Sequence, residues 1–168
     1  MQNTETVTPS RHAFQEKHNV VAVSLQKVLA GTYGLYLTTQ TYHWNVEGDL
    51  FVPLHSLFES QYNDLFKTVD VIAERIRSLG DYAMPFDDAR ILEIAKTTSN
   101  PLNKEKDATS RSKRMVHNLV DLNEDVIVLC QSTKKEAQDI QDDETVNLMV
   151  ERITVHQKAL WMLNSILK

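Results

Sequence analysis

The fold of this chain is decided by the stretch from His43 to Glu74, which reads HWNVEGDLFVPLHSLFESQYNDLFKTVDVIAE. From about Leu50 onward, apolar residues recur at intervals of three or four, the spacing of a buried stripe on a helix. The stripe consists of Phe51, Leu54, Phe58, Tyr62, Leu65, Val69, Ile72, Ile76 and Leu79. We therefore predict a long amphipathic helix that ends near Leu79, where Gly80 provides a stop signal.

A second row of side chains, termed the ligand row, runs beside this apolar stripe. It consists of His55, Glu59, Asp70 and Glu74. At about 100° per residue, these four positions fall within an arc of roughly 100° around the helix. Imidazole and carboxylate groups together suit iron, manganese or zinc. The ligand row is therefore a candidate metal site, with His43 just upstream at the end of the preceding helix.

The spacing of the ligand row divides it into two half-sites. His55 and Glu59 lie one helical turn apart, as do Asp70 and Glu74, but about 22 Å of helix separates the two pairs. No single ion bridges that distance, so each pair needs further ligands. One source is another helix of the same chain. The other is the same helix of a second subunit, antiparallel about a two-fold axis near Asp64–Leu65, which gives two identical sites per dimer.

Three motifs in this stretch belong together: HWN at positions 43–45, His55 twelve residues after His43, and the D-x-x-x-E pair at 70 and 74, which Arg75 follows. They resemble the Dps family, the DNA-binding proteins from starved cells, over a range from about Asn19 to Leu167. The resemblance implies a ferritin-like fold, a hollow shell of twelve subunits, and ferroxidase centres between two-fold-related subunits. Each ligand is singly more often a capping or solvated residue, so the interpretation depends on all five in register.

The resemblance also implies how the ligands divide between subunits. By position, His43, His55 and Glu59 would come from one subunit, and Asp70 and Glu74 from the other, to hold two irons. The implied reaction oxidises Fe²⁺, preferentially with hydrogen peroxide, and stores ferric mineral within the shell. The family usually has aspartate where this chain has Glu59, whose longer side chain changes iron affinity or the spacing of the irons.

Two further roles follow from the resemblance. Trp44 would supply an electron when a single iron is bound, although packing is the alternative role for this residue. Iron would enter through acidic pores near the start of the fourth helix, formed by Asp142, Asp143 and Glu144. Carboxylates at a helix N-terminus are also favoured by the helix dipole alone, so these three residues have a structural alternative.

The periodicity predicts an all-α four-helix bundle with a short extra helix in the long crossover between helices 2 and 3, and the resemblance implies that this bundle is ferritin-like. The predicted bounds are about Arg11–Asn45 and Leu50–Leu79 for the first two helices, Asp87–Ala95 for the short helix, Asp107–Lys134 for the third, and Asp142–Asp143 to the C-terminus for the fourth. Gly31 and Gly34 in the first helix indicate a close helix approach or a kink. Asp49 is predicted to cap the second helix.

Length and composition predict one domain over residues 11–168, preceded by a flexible tail over residues 1–10. No run of 18 apolar residues is present, so we expect no membrane span. The single cysteine, Cys130, lies in an apolar stripe and is expected to be a buried thiol in a cytoplasmic protein. No glutamate is followed by a histidine three residues later, which removes the usual di-iron ligands of a single bundle. His117 and His156 are expected to be structural.

The charge of the chain bears on the alternative function, DNA compaction with little ferroxidase activity. The net charge is −5, so a shell of twelve chains would carry about −60 and repel phosphate. Residues 1–17 contain two cations, Arg11 and Lys17, against Glu5 and Glu16. We expect DNA binding to be absent or weak, and a gel shift with intact shells at low salt distinguishes the two functions. A metal-free structural bundle is the third possibility.

Overall fold

Four long helices form the protein in this computed structural model, which describes residues 11–84 and 106–168, with side chains from residue 19 onward. The helices are α1 (Arg11–Asn45), α2 (Phe51–Ser78), α3 (Ala108–Asp139) and α4 (Asp143–Ile166). No strand occurs in the described ranges. The expected all-α four-helix bundle is confirmed, whereas the predicted tail and the predicted short helix at Asp87–Ala95 lie outside the described residues.

The helices pack as neighbours in the pairs α1–α2, α3–α4 and α1–α3. The end of α1 lies beside the start of α3, because the Ser112 hydroxyl donates to the carbonyl of Glu47 at 2.9 Å. At the opposite end of the bundle, Ser24 of α1 bonds to Glu136 of α3. These contacts make α1 and α3 antiparallel, so α2 and α3 begin at the same end. The end of α2 and the start of α3 therefore lie at opposite ends of the bundle, as they do on either side of a ferritin-like crossover.

The core is continuous along α1. Apolar and threonine residues at intervals of three or four predict one buried face for this helix, and every position of that face is at most 2% exposed. That face consists of Val21, Leu25, Val28, Thr32, Leu35, Thr39, Tyr42 and Val46. The segment Asn19–Asn45 is long and apolar enough, by length and composition, to cross a membrane, although it has no unbroken run of 18 apolar residues. Half of it is buried inside the bundle, so its composition is that of a core helix.

Two glycines have clear structural causes. A Cβ atom at Gly31 would lie 3.1 Å from the Cδ1 atom of Leu129 and 3.4 Å from Val126 Cγ2. The close-approach interpretation of Gly31 is therefore confirmed, since α1 and α3 pack tightly here. Gly48, in the turn before α2, has a φ of +84°, which side chains rarely adopt.

The helix ends differ from the predicted ones in two places. The predicted Asp49 cap is wrong, because Leu50 is the N-cap residue of α2 and no side chain caps the helix. Helix α3 continues five residues past the predicted Lys134, since residues 135–139 contain neither glycine nor proline. Asp142 is the N-cap of α4, close to the predicted start.

One residue of the predicted stripe on α2 is exposed. Phe51, assigned to the buried stripe, is 42% exposed.

Candidate metal centre

Two histidines meet where α1 ends and α2 begins. The rings of His43 and His55 stack with their centroids 3.8 Å apart and their planes 24° apart. His43 is only 8% exposed, and His55 is half-buried. The short turn between α1 and α2 thus brings together two residues that are twelve positions apart in sequence.

Each histidine is held by the backbone of the other. The Nδ1 atom of His43 donates to the carbonyl of His55 at 2.9 Å, and Nδ1 of His55 donates to the carbonyl of His43 at 2.9 Å. The His43 carbonyl is one of the last four of α1, which lack a partner within the helix. Because both Nδ1 atoms serve as donors, each neutral ring carries its lone pair on Nε2, the atom then available to a metal.

Aromatic rings enclose this pair from both sides. The Tyr62 ring packs edge-on against His43 at 5.2 Å between centroids, and Phe51 packs on His55 at 4.9 Å. Phe51 is therefore part of the histidine cluster rather than of the buried stripe. With their rings stacked and their Nδ1 atoms bonded, the imidazoles lose little freedom when a ligand binds.

The three carboxylates of the ligand row lie along the exposed side of α2. Glu59, Asp70 and Glu74 are all exposed, and the last two lie on later turns than the histidine pair. Within residues 11–84 and 106–168, no group of three or more His, Cys, Asp or Glu side chains comes close enough to hold a metal. In the described part of one chain, Asp70 and Glu74 therefore lie apart from the histidine pair.

Apolar side chains are exposed on the same face of α2. Phe66 is 62% exposed and Val52 is 69% exposed, and by helical geometry both fall within the arc of the ligand row. Trp44, next to His43, is 65% exposed. An apolar surface of this kind, interspersed with carboxylates, is typical of a face that another protein surface covers.

The acidic start of α4 contains two kinds of carboxylate. Asp142 is 4% exposed, accepts hydrogen bonds from the backbone and hydroxyl of Thr145, and forms an ion pair with Arg75. Its oxygens are therefore engaged within the bundle. Asp143 and Glu144, in the first turn of α4, are exposed.

Comparison with known proteins identifies the family. The ferritin-like domain family matches residues 23–168. The "DNA protection during starvation protein" of Brevibacillus brevis is 27% identical over 89% of this chain and 95% of its own length. A crystal structure from Vibrio cholerae O1, described as a DPS protein of the ferritin-like diiron-carboxylate superfamily, has a TM-score of 0.74 and 29% identity, covering 92% of each chain. The chain belongs to the Dps family.

A further relative of this Dps chain is named only by its response to low temperature. It is an uncharacterised low temperature-induced protein of Nostoc sp., 31% identical over 91% of this chain and 83% of the relative. The resemblance inferred from HWN and the D-x-x-x-E pair is thus confirmed at the level of family and fold.

The sequence reasoning missed a cavity between α2 and α4. This cavity, of about 260 Å³, is lined by residues of all four helices, including Gln61, Asp64, Arg152 and His156. Asp64 and Arg152 form an ion pair at 2.7 Å. Neither residue belongs to a recognisable motif. The only signal in the sequence was an arginine and a histidine one turn apart on a largely apolar helix.

The remaining histidines and the cysteine differ in burial. His156 is 2% exposed, whereas His117 is exposed and has Asp121 one turn further along α3. The Nδ1 atom of His156 donates to Asn123 Oδ1 at 2.8 Å, which fits the expected structural role. Cys130 is fully buried, and burial raises the pKa of its thiol to about 11. The thiol is therefore protonated at neutral pH.

Proposed function

We propose that this Dps chain is an iron-oxidising and iron-storing subunit whose metal sites form between two copies. The observation that carries the proposal is the histidine pair, since its Nδ1 atoms are occupied by backbone carbonyls and its Nε2 atoms are left for a metal. Its Vibrio cholerae relative is described as a member of the diiron-carboxylate superfamily, which supports iron as the substrate metal.

In this proposal each site takes His43, His55 and Glu59 from one subunit, and Asp70 and Glu74 of the partner subunit. An antiparallel two-fold arrangement of α2 aligns these groups, because the two pairs are equidistant from a point near Asp64–Leu65. Three carboxylates and two imidazoles provide ligands for two iron ions. Anionic oxygen ligands favour Fe³⁺ over Fe²⁺, because the higher charge interacts more strongly with them.

The proposed reaction is an electron transfer from iron to peroxide. Two ferrous ions lose one electron each, the O–O bond of hydrogen peroxide breaks, and two protons are taken up to give two water molecules. The ferric ions then hydrolyse and deposit as mineral within the shell. Trp44, exposed beside the histidine pair, would supply the second electron where one iron is bound. We expect this reaction to be faster with hydrogen peroxide than with oxygen.

Glu59 provides the most direct test of the metal site. Glu59→Ala should weaken Fe²⁺ binding and slow its oxidation by about tenfold or more, because one charged ligand is lost. Glu59→Asp keeps the carboxylate and should retain ferroxidation. Stopped-flow absorbance of ferric product, after addition of peroxide or oxygen to shells loaded with Fe²⁺, measures both variants.

Glu124, which is exposed on α3 and outside the ligand row, supplies the control. Glu124→Ala removes the same charge per subunit and should leave the rate unchanged. Equal rates in wild type, Glu59→Ala and Glu124→Ala would show that Glu59 is only a solvated helix residue.

Assembly into a closed shell, with twelve subunits expected, would cover the exposed face of α2. Phe66 lies near the proposed two-fold axis, so Phe66→Glu would place two new carboxylates close together in the interface. We expect this variant to sediment mainly as species smaller than the wild-type shell. Val128→Glu, at a residue of similar exposure on α3, should still form the shell. A Phe66→Glu protein that sediments like wild type would contradict the proposed interface.

Two features bear on iron entry and on the compartment. Asp143 and Glu144 are exposed and would line acidic pores, whereas Asp142 is buried and would hold the start of α4 in place through Arg75. The proposed pore is therefore smaller than the three carboxylates predicted from the sequence. A cytoplasmic location fits the single, fully buried cysteine.

DNA compaction remains the second candidate because several relatives carry DNA in their names. Nothing in the charge of this chain favours it. Each subunit carries a net charge of −5, whereas binding to the phosphates of DNA depends on clustered lysine and arginine. We therefore propose that protection of the cell arises from removal of Fe²⁺ and peroxide, with weak or no direct binding to DNA.

A further inference from the structure

The cavity between α2 and α4 lies apart from the proposed metal site. Asp64, on its wall, is about 180° around α2 from His55 by helical geometry. Thr39 of α1 and Asn123 of α3 also line it, and its mouth includes Ser60 and Lys158, which are exposed. The cavity therefore reaches the centre of the bundle, and its mouth lies between α2 and α4 rather than among the side chains of the ligand row.

Three buried polar atoms on the cavity-lining residues have no hydrogen-bond partner within the described structure. They are Nε2 of Gln61, Nε of Arg152 and Nε2 of His156. Arg152 is 4% exposed and His156 is 2% exposed. Because buried polar atoms are nearly always bonded, three such atoms around one cavity indicate that water or a polar ligand occupies it.

The donor or acceptor character of these atoms is defined by their neighbours. The amide of Asn123 donates to the Leu119 carbonyl at 2.7 Å, so its Oδ1 atom accepts from Nδ1 of His156. Burial, with a smaller effect of Arg152, lowers the pKa of His156 to about 4. The ring is neutral at pH 7, and its Nε2 atom is an acceptor. Gln61 and Arg152 each present an N–H donor.

The charge of the cavity lining is positive. Arg152 and Lys158 are cationic, Asp64 is anionic, and the other lining residues are uncharged. The Nη2 atom of Arg152 donates to Asp64 at 2.7 Å, which leaves the Nε atom of the same guanidinium for a ligand. The buried guanidinium also argues against a metal cation on the adjacent His156.

We propose that this cavity binds a small protonated oxyanion, hydrogen phosphate or bicarbonate. Its oxygens accept hydrogen bonds from Gln61 and Arg152, and its hydroxyl donates to Nε2 of His156. Lys158 attracts the anion at the mouth. A fully deprotonated anion, such as sulfate, has no hydrogen for His156 and binds more weakly. At about 30 Å³ per water molecule, the cavity has room for such an anion with several waters.

Direct binding measurements on metal-free shells test this proposal, because iron mineral itself takes up phosphate. Phosphate labelled with ³²P and bicarbonate labelled with ¹⁴C are each equilibrated with the protein by dialysis, at constant ionic strength and with sulfate as competitor. We expect saturable binding of one anion or both, at one per subunit, and poor competition by sulfate. Binding of only one anion supports the proposal and identifies the source.

Two variants locate the site without removing its buried charge. Gln61→Met keeps the volume of the side chain but loses the donor, and it should weaken binding by about tenfold, the effect of one hydrogen bond to a charged group. Lys158→Met should also weaken binding. Lys135→Met removes the same charge from an exposed position on α3 outside the cavity and should bind like wild type.

Three outcomes would overturn the proposal. They are the absence of saturable binding of either anion, competition by sulfate as strong as by phosphate, and equal loss of binding in Lys158→Met and Lys135→Met. Sedimentation of each variant as an intact shell excludes misassembly as the cause of a loss. The measurement contains no iron, so its result is independent of the proposed ferroxidase.

Discussion

Mixed shells built from two inactive variants should recover about a quarter of wild-type iron oxidation. One variant is His43→Ala/His55→Ala, and the other is Asp70→Ala/Glu74→Ala. Each alone lacks half of every proposed site and should oxidise iron slowly. When both are unfolded together and reassembled, random pairing gives about half mixed interfaces, each with one intact site of two.

The recovery depends on the site being shared. In a mixed pair, one site receives both damaged halves and the other receives intact histidines and Glu59 from one chain, with Asp70 and Glu74 of the partner subunit. A site contained in one chain gains nothing, because every chain carries a lesion. Ferric absorbance after peroxide addition measures the rate, and mass spectrometry measures mixing.

A second mixture provides a matched control. Shells made from His43→Ala/His55→Ala and Glu59→Ala carry both lesions in the same half-site. No pairing of these chains gives an intact site, so activity should stay at the level of the parents. Recovery in this control, or thorough mixing without recovery in the complementary pair, would contradict the two-fold arrangement.

The stability of the protein should fall as the pH drops from about 6.5 to 4, because of His156. Burial is the main cause that lowers the pKa of its ring from 6.5 to about 4, and Arg152 adds to the effect while Asp64 opposes it. In this range the unfolded chain binds a proton that the folded chain excludes. The stabilisation is complete above pH 6.5 and is lost as the pH falls, by about 3 kcal/mol per subunit.

Denaturant unfolding at several pH values separates this effect from other titrations. His156→Gln should lower stability at pH 7 but show a shallower loss between pH 6.5 and 4 than wild type. His117→Gln, at an exposed histidine, should follow the wild-type profile. A His156→Gln protein with the same pH dependence as wild type would show that the buried ring titrates normally.

The sequence was informative where a single periodic pattern determines the structure. Seven positions along α1, with Val46 just after it, predict a face that is buried throughout, because a single helix contributes nearly all of that face. The Dps motifs predicted the family for a related reason. Their spacing along the sequence depends only on the turn between α1 and α2 and on the length of α2. The N-cap of α2 was mispredicted because the turn at Gly48 replaces the Asp49 side chain with backbone hydrogen bonds, including Phe51 N–H to the Gly48 carbonyl at 2.9 Å.

Side-chain contacts between helices that are far apart in the sequence could not be predicted from it. The ligand types at His43 and His55 were evident, but not their stacked rings or their reciprocal hydrogen bonds, which depend on the angle between α1 and α2. The ion pair of Asp64 with Arg152 joins residues 88 positions apart, and no local pattern predicts it. Asp142 was assigned to a pore for the same reason, since its burial depends on Arg75 from another helix.

The reciprocal bonding of His43 and His55 has a consequence for the order of events in a newly made chain. The two rings are separated by a short loop, and a loop of about ten residues closes within about 100 ns. The imidazoles are thus in place as soon as the hairpin of α1 and α2 forms, long before two subunits meet. On the proposed division of ligands, the carboxylates that complete the site arrive only with the second subunit. Oxidation would then begin only after two subunits have paired, so a single newly made chain would hold its histidines in place without producing ferric iron.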